Sequence, residues 1–307
     1  MKKILITGAT GFIGSNIAFQ LVEKGYSVSA THRTSSSFEK CQHFKDRINW
    51  IDINDPNWKN IVSEIKPNQL IHTAWNGIEA QQRNDWEIQM QNFWFSKELF
   101  DLAKEFSIKK VIAFGSQAEY GTCEFSVNEE TVTKPNDAYG AIKILALNYL
   151  RTLFSDTDQE WYWMRVFSVF GEYENSGWLI PNVISKLLRN EPVKLTACEQ
   201  SYNYLYINDF VAQIHKLIDF EENTSGIYNL CSSRSIKLKD LLLQITDLLG
   251  LSPDLLQFGA LPYRKGQNMY IAGDNSKFQK IFNPVNGLEN ITKGLLKTIE
   301  FYKTKQQ

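Results

Sequence analysis

The sequence predicts an α/β protein: a doubly wound parallel sheet with helices on both faces, followed by a smaller and more mixed C-terminal lobe. Three observations carry that prediction. Short β-branched or apolar runs alternate with helical stretches through the first half of the chain. The glycine triplet Gly8-Ala-Thr-Gly11-Phe-Ile-Gly14 closes the first run and opens the first helix. The alternation then stops near Gly171, beyond which Gly177, Pro181 and Pro192 interrupt it.

Taken in order, Lys3 to Thr7, Ser27 to Thr31, Asn49 to Ile53, Gln69 to Thr73 and Lys110 to Phe114 read as consecutive strands, each short and apolar enough to be buried on both sides. Helices fill the gaps at Ser15 to Lys24, Trp58 to Ile65 and Trp86 to Phe106. A long helix opens at Pro135-Asn136-Asp137, with Asn136 or Asp137 as N-cap, and runs to about Phe154. Trp161 to Val166 reads as a sixth strand, and Gly171 to Tyr204 as a less regular region. Leu205 to Asp219 reads as a strand end and helix, Gly226 to Cys231 as a strand, and Leu238 to Leu249 as an amphipathic helix stopped by Gly250. The predicted organisation is a nucleotide-binding domain over 1–170, with about 205–231 returning to it, and a substrate lobe mainly over 171–307.

Composition narrows the function classes. With 33 basic and 34 acidic residues the formal net charge is −1, so no overall basic field favours nucleic acid or an anionic membrane surface. Cys41, Cys123, Cys198 and Cys231 are scattered without CxxC spacing, which fits reduced thiols rather than a disulfide frame or a metal site. The start Met1-Lys2-Lys3-Ile4-Leu5-Ile6 meets Thr7-Gly8 too soon to read as a signal peptide, and no stretch is long and apolar enough to span a bilayer, so a cytoplasmic location is expected.

The glycine triplet has physical content because of where it lies. Gly8 permits a tight turn, Gly11 lets backbone approach a pyrophosphate, and Gly14 allows close helix packing. The N–H groups of the helix start, at Phe12 and Ile13, face the phosphates. The acid expected about twenty residues on, to bind an adenosine ribose, is missing. Between Glu23 and Glu39 there is no Asp or Glu, and the tip of the second strand reads Thr31-His32-Arg33-Thr34-Ser35-Ser36. A guanidinium and hydroxyls, Arg33 and Ser35 among them, suit a 2′-phosphate, which favours NADPH, with NAD(H) as the alternative. In the predicted long helix, Tyr139 and Lys143 stand at i and i+4 on one face, where an ammonium favours the phenolate and draws the phenol toward proton-transfer chemistry.

With the glycine triplet, the Tyr139/Lys143 pair and Gly115-Ser-Gln-Ala-Glu-Tyr-Gly121 after the fifth strand, the chain resembles the extended short-chain dehydrogenase/reductases, the nucleotide-sugar epimerase/dehydratase family, over nearly its whole length. The resemblance implies a Rossmann-type sheet. It implies that Ser116 hydrogen-bonds the substrate oxygen, that Tyr139 is the acid/base, and that Lys143 binds the nicotinamide ribose while tuning Tyr139. It also implies adenine contacts from Asp52 and Ile53, and a turn lining the cofactor at Ala74. Arg264, in Pro262-Tyr263-Arg264-Lys265-Gly266, inherits a grip on the substrate pyrophosphate. Two departures stand out: Tyr202-Asn203-Tyr204 replaces the family's Arg-Asp-Phe step, so that Tyr202 offers stacking or a hydroxyl in place of charge, and Ser168 replaces the usual Asn.

The neighbours of the triad choose among the family's reactions. Dehydratases place Asp-Glu where this chain has Gln117 and Ala118, and neither an amide nor a methyl group delivers or takes the protons that elimination needs. The whole pattern is most similar to reductases of nucleotide-linked 4-keto-6-deoxy sugars, of the kind that make abequose, paratose or fucose donors for surface polysaccharides. The segments carrying this likeness include Trp75-Asn76-Gly77, Arg83-Asn84-Asp85 and Phe258 to Arg264. On that likeness Trp75, Asn76, Arg83 and Gln117 shape the sugar pocket. Alternatives are a nucleotide-sugar 4-epimerase with tightly bound NAD and, from a different class, a non-catalytic NADPH-binding sensor. The helices Trp86 to Phe106 and Asp137 to Phe154 carry many large apolar residues, including Phe93, Trp94, Phe95, Leu99 and Phe100, and in the family such helices pair into a four-helix homodimer interface.

Overall fold

The computed structural model describes residues 2–264, 266–283 and 290–305, so Met1 and Lys265, both named above, lie outside the described residues. The chain runs β1 (Lys3–Thr7), α1 (Phe12–Glu23), β2 (Ser27–His32), β3 (Asn49–Asp52), α2 (Trp58–Ile65), β4 (Gln69–His72), α3 (Trp86–Glu105), β5 (Lys110–Ser116), α4 (Ala138–Leu153) and β6 (Glu160–Val166). It continues through β7 (Ser168–Phe170), α5 (Leu179–Leu188), β8 (Val193–Lys194), β9 (Ser201–Tyr202), β10 (Tyr204–Tyr206), α6 (Ile207–Asp219) and β11 (Gly226–Leu230). The last elements are β12 (Ile236–Lys237), α7 (Leu238–Leu249), β13 (Leu256–Gln257), β14 (Tyr270–Ile271), α8 (Ser276–Phe282) and α9 (Ile291–Lys305).

The main sheet has seven strands in the order β11-β6-β5-β4-β1-β2-β3. Every pairing from β6 across to β3 is parallel. Its order makes the chain run outward from β1 to β3 and then cross back to β4, so β1 and β4 flank a topological switch point, where ligands of open α/β sheets bind beyond the carboxyl ends of the strands. Thr7 pairs with His72 at that point. Leu5, Leu70, Val111 and Ala113 of the sheet, with Leu99, Phe100, Ala146 and Leu150 of α3 and α4, form one continuous core. Buried on both faces, such strands read as apolar runs, which is why they were visible in the sequence.

Helix-pattern apolar residues on α3 are therefore mostly internal. Phe93, Leu99 and Phe100 are buried and Phe95 packs against the same core, whereas Trp86 and Trp94 remain exposed. The N-cap of α4 is Asp137, whose Oδ1 accepts from the Gly140 N–H at 2.8 Å.

Two compact units result. The first holds residues 1–121, 131–166 and 214–228; the second holds 122–130, 167–213 and 229–307. The span Gly171 to Tyr204, expected to be irregular, contains α5 and short strands. Pro181 does not interrupt the chain's regular structure, because it lies in the first turn of α5, where a backbone N–H has no intrahelical acceptor to lose. Ile180, Val183, Ile184 and Leu187 supply the buried stripe of that helix. At the other end of the same unit Gly250 takes φ +67 after α7, the left-handed stop that a glycine makes cheaply.

Candidate active site

The first unit gathers its chemistry at the carboxyl edge of the sheet. After β1, Gly8 turns at φ +74, and a Cβ there would lie 2.6 Å from both the Ala74 nitrogen and Thr73 Oγ1. A Cβ on Gly14 would collide with the Gly8 carbonyl oxygen, so α1 starts tight against the turn. Gly11 differs: the nearest neighbour of a Cβ there is the Gly8 carbonyl oxygen at 3.3 Å, leaving its other side open. As N-cap of α1 it has no side chain to satisfy the N–H groups of Phe12 and Ile13. An open backbone and unsatisfied donors at a helix start fit a dinucleotide pyrophosphate.

At the tip of β2, Arg33, Thr34 and Ser35 are exposed, and an Arg33 guanidinium nitrogen donates to Asn76 Oδ1 at 3.2 Å. Asp52, at the end of β3, accepts from the Asn54 N–H at 2.9 Å and the Thr34 hydroxyl at 2.8 Å; these bonds hold its carboxyl below the usual carboxylate range. Ile53 donates its N–H to the His32 carbonyl and so ties β3 to the same tip.

Beyond β4, the turn Ala74 to Gly77 is held by a polar stripe on α3. Asn92 accepts from the Asn76 N–H at 2.8 Å and donates to the Asn76 carbonyl at 2.9 Å, while Gln89 accepts from Trp75 Nε1 at 2.9 Å and donates to the Gly77 carbonyl. One turn further, Ser96 donates to the Asn92 carbonyl and is free only to accept, so His72 Nε2 carries the proton toward it at 2.9 Å. His72 Nδ1 then accepts from the Thr7 hydroxyl at 2.7 Å. Burial pushes His72 down to about 3, and Lys143's charge adds to this, so the ring is a neutral spacer between β1, β4 and α3.

Ser116 ends β5, and its hydroxyl stands beside the Tyr139 phenol and draws the phenol's pKa down. What fixes Ser116 is Glu119, fully buried three residues on. Glu119 Oε1 accepts from the Ser116 N–H and from Trp163 Nε1, each at 2.9 Å, and its Oε2 pairs with Arg165 Nε at 2.7 Å. Arg165 in turn donates to the Tyr120 hydroxyl at 2.8 Å. Glu119 lies in the Gly115 to Gly121 segment and Arg165 in the sixth predicted strand, and nothing in the sequence pattern pairs them. A Glu in a Gly-to-Gly turn directly after a buried strand was the available signal, since a buried carboxylate demands a cation.

Tyr139 and Lys143 do share a face of α4, the ammonium lying 5.6 Å from the Tyr139 ring centroid. Lys143 is buried, 2.6 Å from the Phe114 carbonyl oxygen and 3.3 Å above the Trp75 ring, and burial pushes it down to about 7. Burial raises the Tyr139 phenol above its ordinary value, while the Ser116 hydroxyl and the Arg83 guanidinium draw it back. Trp75 meets Tyr139 edge-on at 6.1 Å and Gln117 directly follows Ser116, so Trp75, Arg83 and Gln117 all gather around the triad, with Asn76 on the adjoining turn.

The other predicted residues belong to the second unit. Ser168 opens β7 and pairs with Tyr204 of β10. Tyr202 donates its hydroxyl to the Asn268 carbonyl at 2.6 Å and accepts from Gln267 at 2.8 Å, so its hydroxyl is engaged within the unit and its ring is what it has to offer a ligand. Arg264 is exposed in the loop before β14. Among the described residues no group of three or more His, Cys, Asp or Glu could hold a metal ion, and no helix is long and apolar enough to cross a membrane.

Comparison with known proteins agrees with this architecture. The model of the NAD dependent epimerase/dehydratase family matches residues 4–231. The chain is 25% identical to CDP-abequose synthase of Salmonella muenchen over 273 residues, 87% of each chain. It is 23% identical to dTDP-4-dehydro-6-deoxyglucose reductase of Escherichia coli over 255 residues, 78% of this chain and 79% of the relative. In fold it is similar to the UDP-glucose 4-epimerase of Thermotoga maritima crystallised with UDP-glucose, with a TM-score of 0.88, 20% identity and coverage of 99% of this chain and 100% of the other.

The Glu119 pair has a measurable consequence. Arg165→Met leaves the Glu119 charge buried with only N–H donors, and is expected to cost about 3–5 kcal/mol in urea unfolding. Adding Glu119→Gln, which keeps an acceptor for Ser116 and Trp163 but removes the charge, should recover most of that loss; an Arg165→Met protein as stable as the parent would contradict the arrangement.

Proposed function

The chain belongs to the NAD dependent epimerase/dehydratase family, as an NAD(P)-dependent oxidoreductase acting on nucleotide sugars, and within it we propose that the chain reduces the C4 ketone of a nucleotide-linked 4-keto-6-deoxy sugar with NADPH. The observation that carries this reading is the turn after β5: Ser116 beside Tyr139, followed by Gln117 and Ala118. That pair of neighbours supplies neither an acid nor a base for eliminating water, so the chemistry left to the triad is hydride transfer with one proton. Net reduction, rather than hydride out and back, is supported by the exposed guanidinium and hydroxyl of Arg33 and Ser35, which suit the 2′-phosphate of a released NADPH.

When bound, the reduced nicotinamide supplies the hydride. The chain's own groups then do the following. Tyr139 donates its phenolic proton as negative charge develops on the ketone oxygen, and the Ser116 hydroxyl donates a hydrogen bond to the same oxygen. Lys143 holds the nicotinamide ribose. Gly8, Gly11 and Gly14 with the Phe12 and Ile13 N–H groups hold the pyrophosphate, Asp52 and Ile53 contact the adenine, and Ala74 lines the turn. Trp75, Asn76, Arg83 and Gln117 shape the sugar pocket; Ser168, the Tyr202 ring and Arg264 recognise the nucleotide part. We propose a cytoplasmic homodimer formed through α3 and α4, whose exposed Trp86, Trp94 and Leu145 are apolar surface in need of a partner.

A second reading, a 4-epimerase holding NAD tightly, is favoured by one observation. The Asp52 carboxylate is bonded to Thr34 at the β2 tip, and a carboxylate there repels a 2′-phosphate. The two readings separate on two panels: stoichiometric NADPH oxidation is expected with nucleotide-linked 4-keto-6-deoxy sugars, and exchange between the C4 isomers of 4-hydroxy nucleotide sugars without cofactor consumption would establish the epimerase. Tyr139→Phe should keep cofactor affinity while losing roughly 10²–10⁴ in turnover; full activity would remove Tyr139 from the reaction. NADPH should bind more tightly than NADH, and the reverse order would sink the assignment of Arg33 and Ser35.

A further inference from the structure

We propose that Asn76 is a specificity-determining residue for the cofactor: its side-chain carbonyl holds the Arg33 guanidinium in place for a 2′-phosphate without cancelling its charge. The inference rests on the NADPH reading and deepens it. Asn76 acts through Arg33, as a positioning residue, beside the place in the sugar pocket proposed for it.

The sheet order brings the two residues together. β2 and β4 are the two neighbours of β1, and Thr31, Thr7 and His72 stand in register across the three strands. Arg33 lies just past the end of β2 and Asn76 in the turn past β4. The bond from the Arg33 guanidinium to Asn76 Oδ1, 3.2 Å long, therefore joins the strand ends on either side of the glycine turn. Backbone fixes both partners. The Arg33 N–H donates to Ser36 Oγ at 3.0 Å and the Arg33 carbonyl accepts from the Ser36 N–H at 2.8 Å, which closes a turn. Asn76 is gripped at its N–H and its carbonyl by the buried side chain of Asn92.

Charge explains why an amide suits this position. Arg33 is exposed, and the partner its side chain takes is neutral. The carboxylate at the same tip, Asp52, is engaged by the Thr34 hydroxyl and the Asn54 N–H instead. An amide oxygen occupies one N–H of the guanidinium fork and leaves its positive charge and its other donors for a phosphate. A carboxylate at position 76 would do the opposite, pairing with Arg33 and repelling a second anion. A long exposed side chain also loses freedom when it closes on a ligand, and a restraint present beforehand reduces that loss. The gain falls to NADPH, because NADH carries an uncharged 2′-hydroxyl where NADPH carries the phosphate.

Fluorescence titrations with NADPH and with NADH, in the absence of sugar, give the ratio of the two dissociation constants. In Asn76→Ala the preference for NADPH should fall about three- to tenfold, the size expected when the ligand itself has to order one long side chain. Asn76→Asp, isosteric but charged, should cut the preference further. A residue that only shaped the turn would give the reverse order, since aspartate fits where asparagine did. In an Arg33→Ala background, Asn76→Ala should move the ratio no further, because the two residues act as one unit. A ratio unmoved in Asn76→Ala, or moved equally with and without Arg33, overturns the inference and leaves the NADPH reading standing. A parent enzyme that prefers NADH overturns both.

Discussion

A carboxylate buried at the end of a central strand is the constraint on which the site depends. Withdrawing the Glu119 charge from water costs several kcal/mol, and it is tolerated because Arg165 and two N–H donors meet it. Those partners come from two places at once: Ser116 on β5 and Trp163 with Arg165 on β6, which pairs with β5 so that Gly115 faces Arg165 and Ser116 faces Val166. The pair therefore locks the ends of two neighbouring strands and aims Ser116. It also explains Gly115, where any Cβ would collide with both Glu119 and Trp163.

From that fixed point the remaining groups assemble by short-range rules. Parallel strands deliver Gly8, Ala74 and Ser116 to one edge of the sheet because β1, β4 and β5 are neighbours in register. The Asp137 cap starts α4 so that Tyr139 falls in its first turn and Lys143 one turn later. A buried polar stripe on α3, Gln89, Asn92 and Ser96, anchors the 74–77 turn. Polar groups on an otherwise apolar helix face are costly unless satisfied, and here bonds that satisfy them also hold Trp75, Asn76, Gly77 and His72. The second unit builds its own core around short strands and α5, and the sequence features assigned to nucleotide recognition, Ser168, Tyr202 and Arg264, sit on its strands and loops.

The sheet strands and the helices between them were legible because each is a run with a single period: apolar through a doubly buried strand, or every third and fourth residue on a helix. The glycine turn was legible because its spacing must match a strand end and a helix start. Less visible was α5, where Pro181 resembled a breaker although it occupies a first-turn position. Composition alone does not say which large residues of α3 face inward: Phe93, Leu99 and Phe100 are buried, while Trp86 and Trp94 are exposed. The electrostatics of the site were least legible. A spacing of four identifies Tyr139 and Lys143 as neighbours, but nothing in it says that Lys143 is capped by Trp75 or that Arg83, 56 positions away in sequence from Tyr139, lies on its ring. Such pairings depend on loops folding back, which periodicity does not encode.

The central claim is that Tyr139 and Ser116 serve a net, one-way hydride delivery to a sugar ketone. Following deuterium from NADPH labelled at the nicotinamide C4 tests it most directly. The account predicts deuterium at sugar C4, with one oxidised cofactor released for each sugar reduced. Interconversion of C4 sugar isomers by hydrogen passed to and from a cofactor that stays bound, with no net NADPH oxidation, would contradict it.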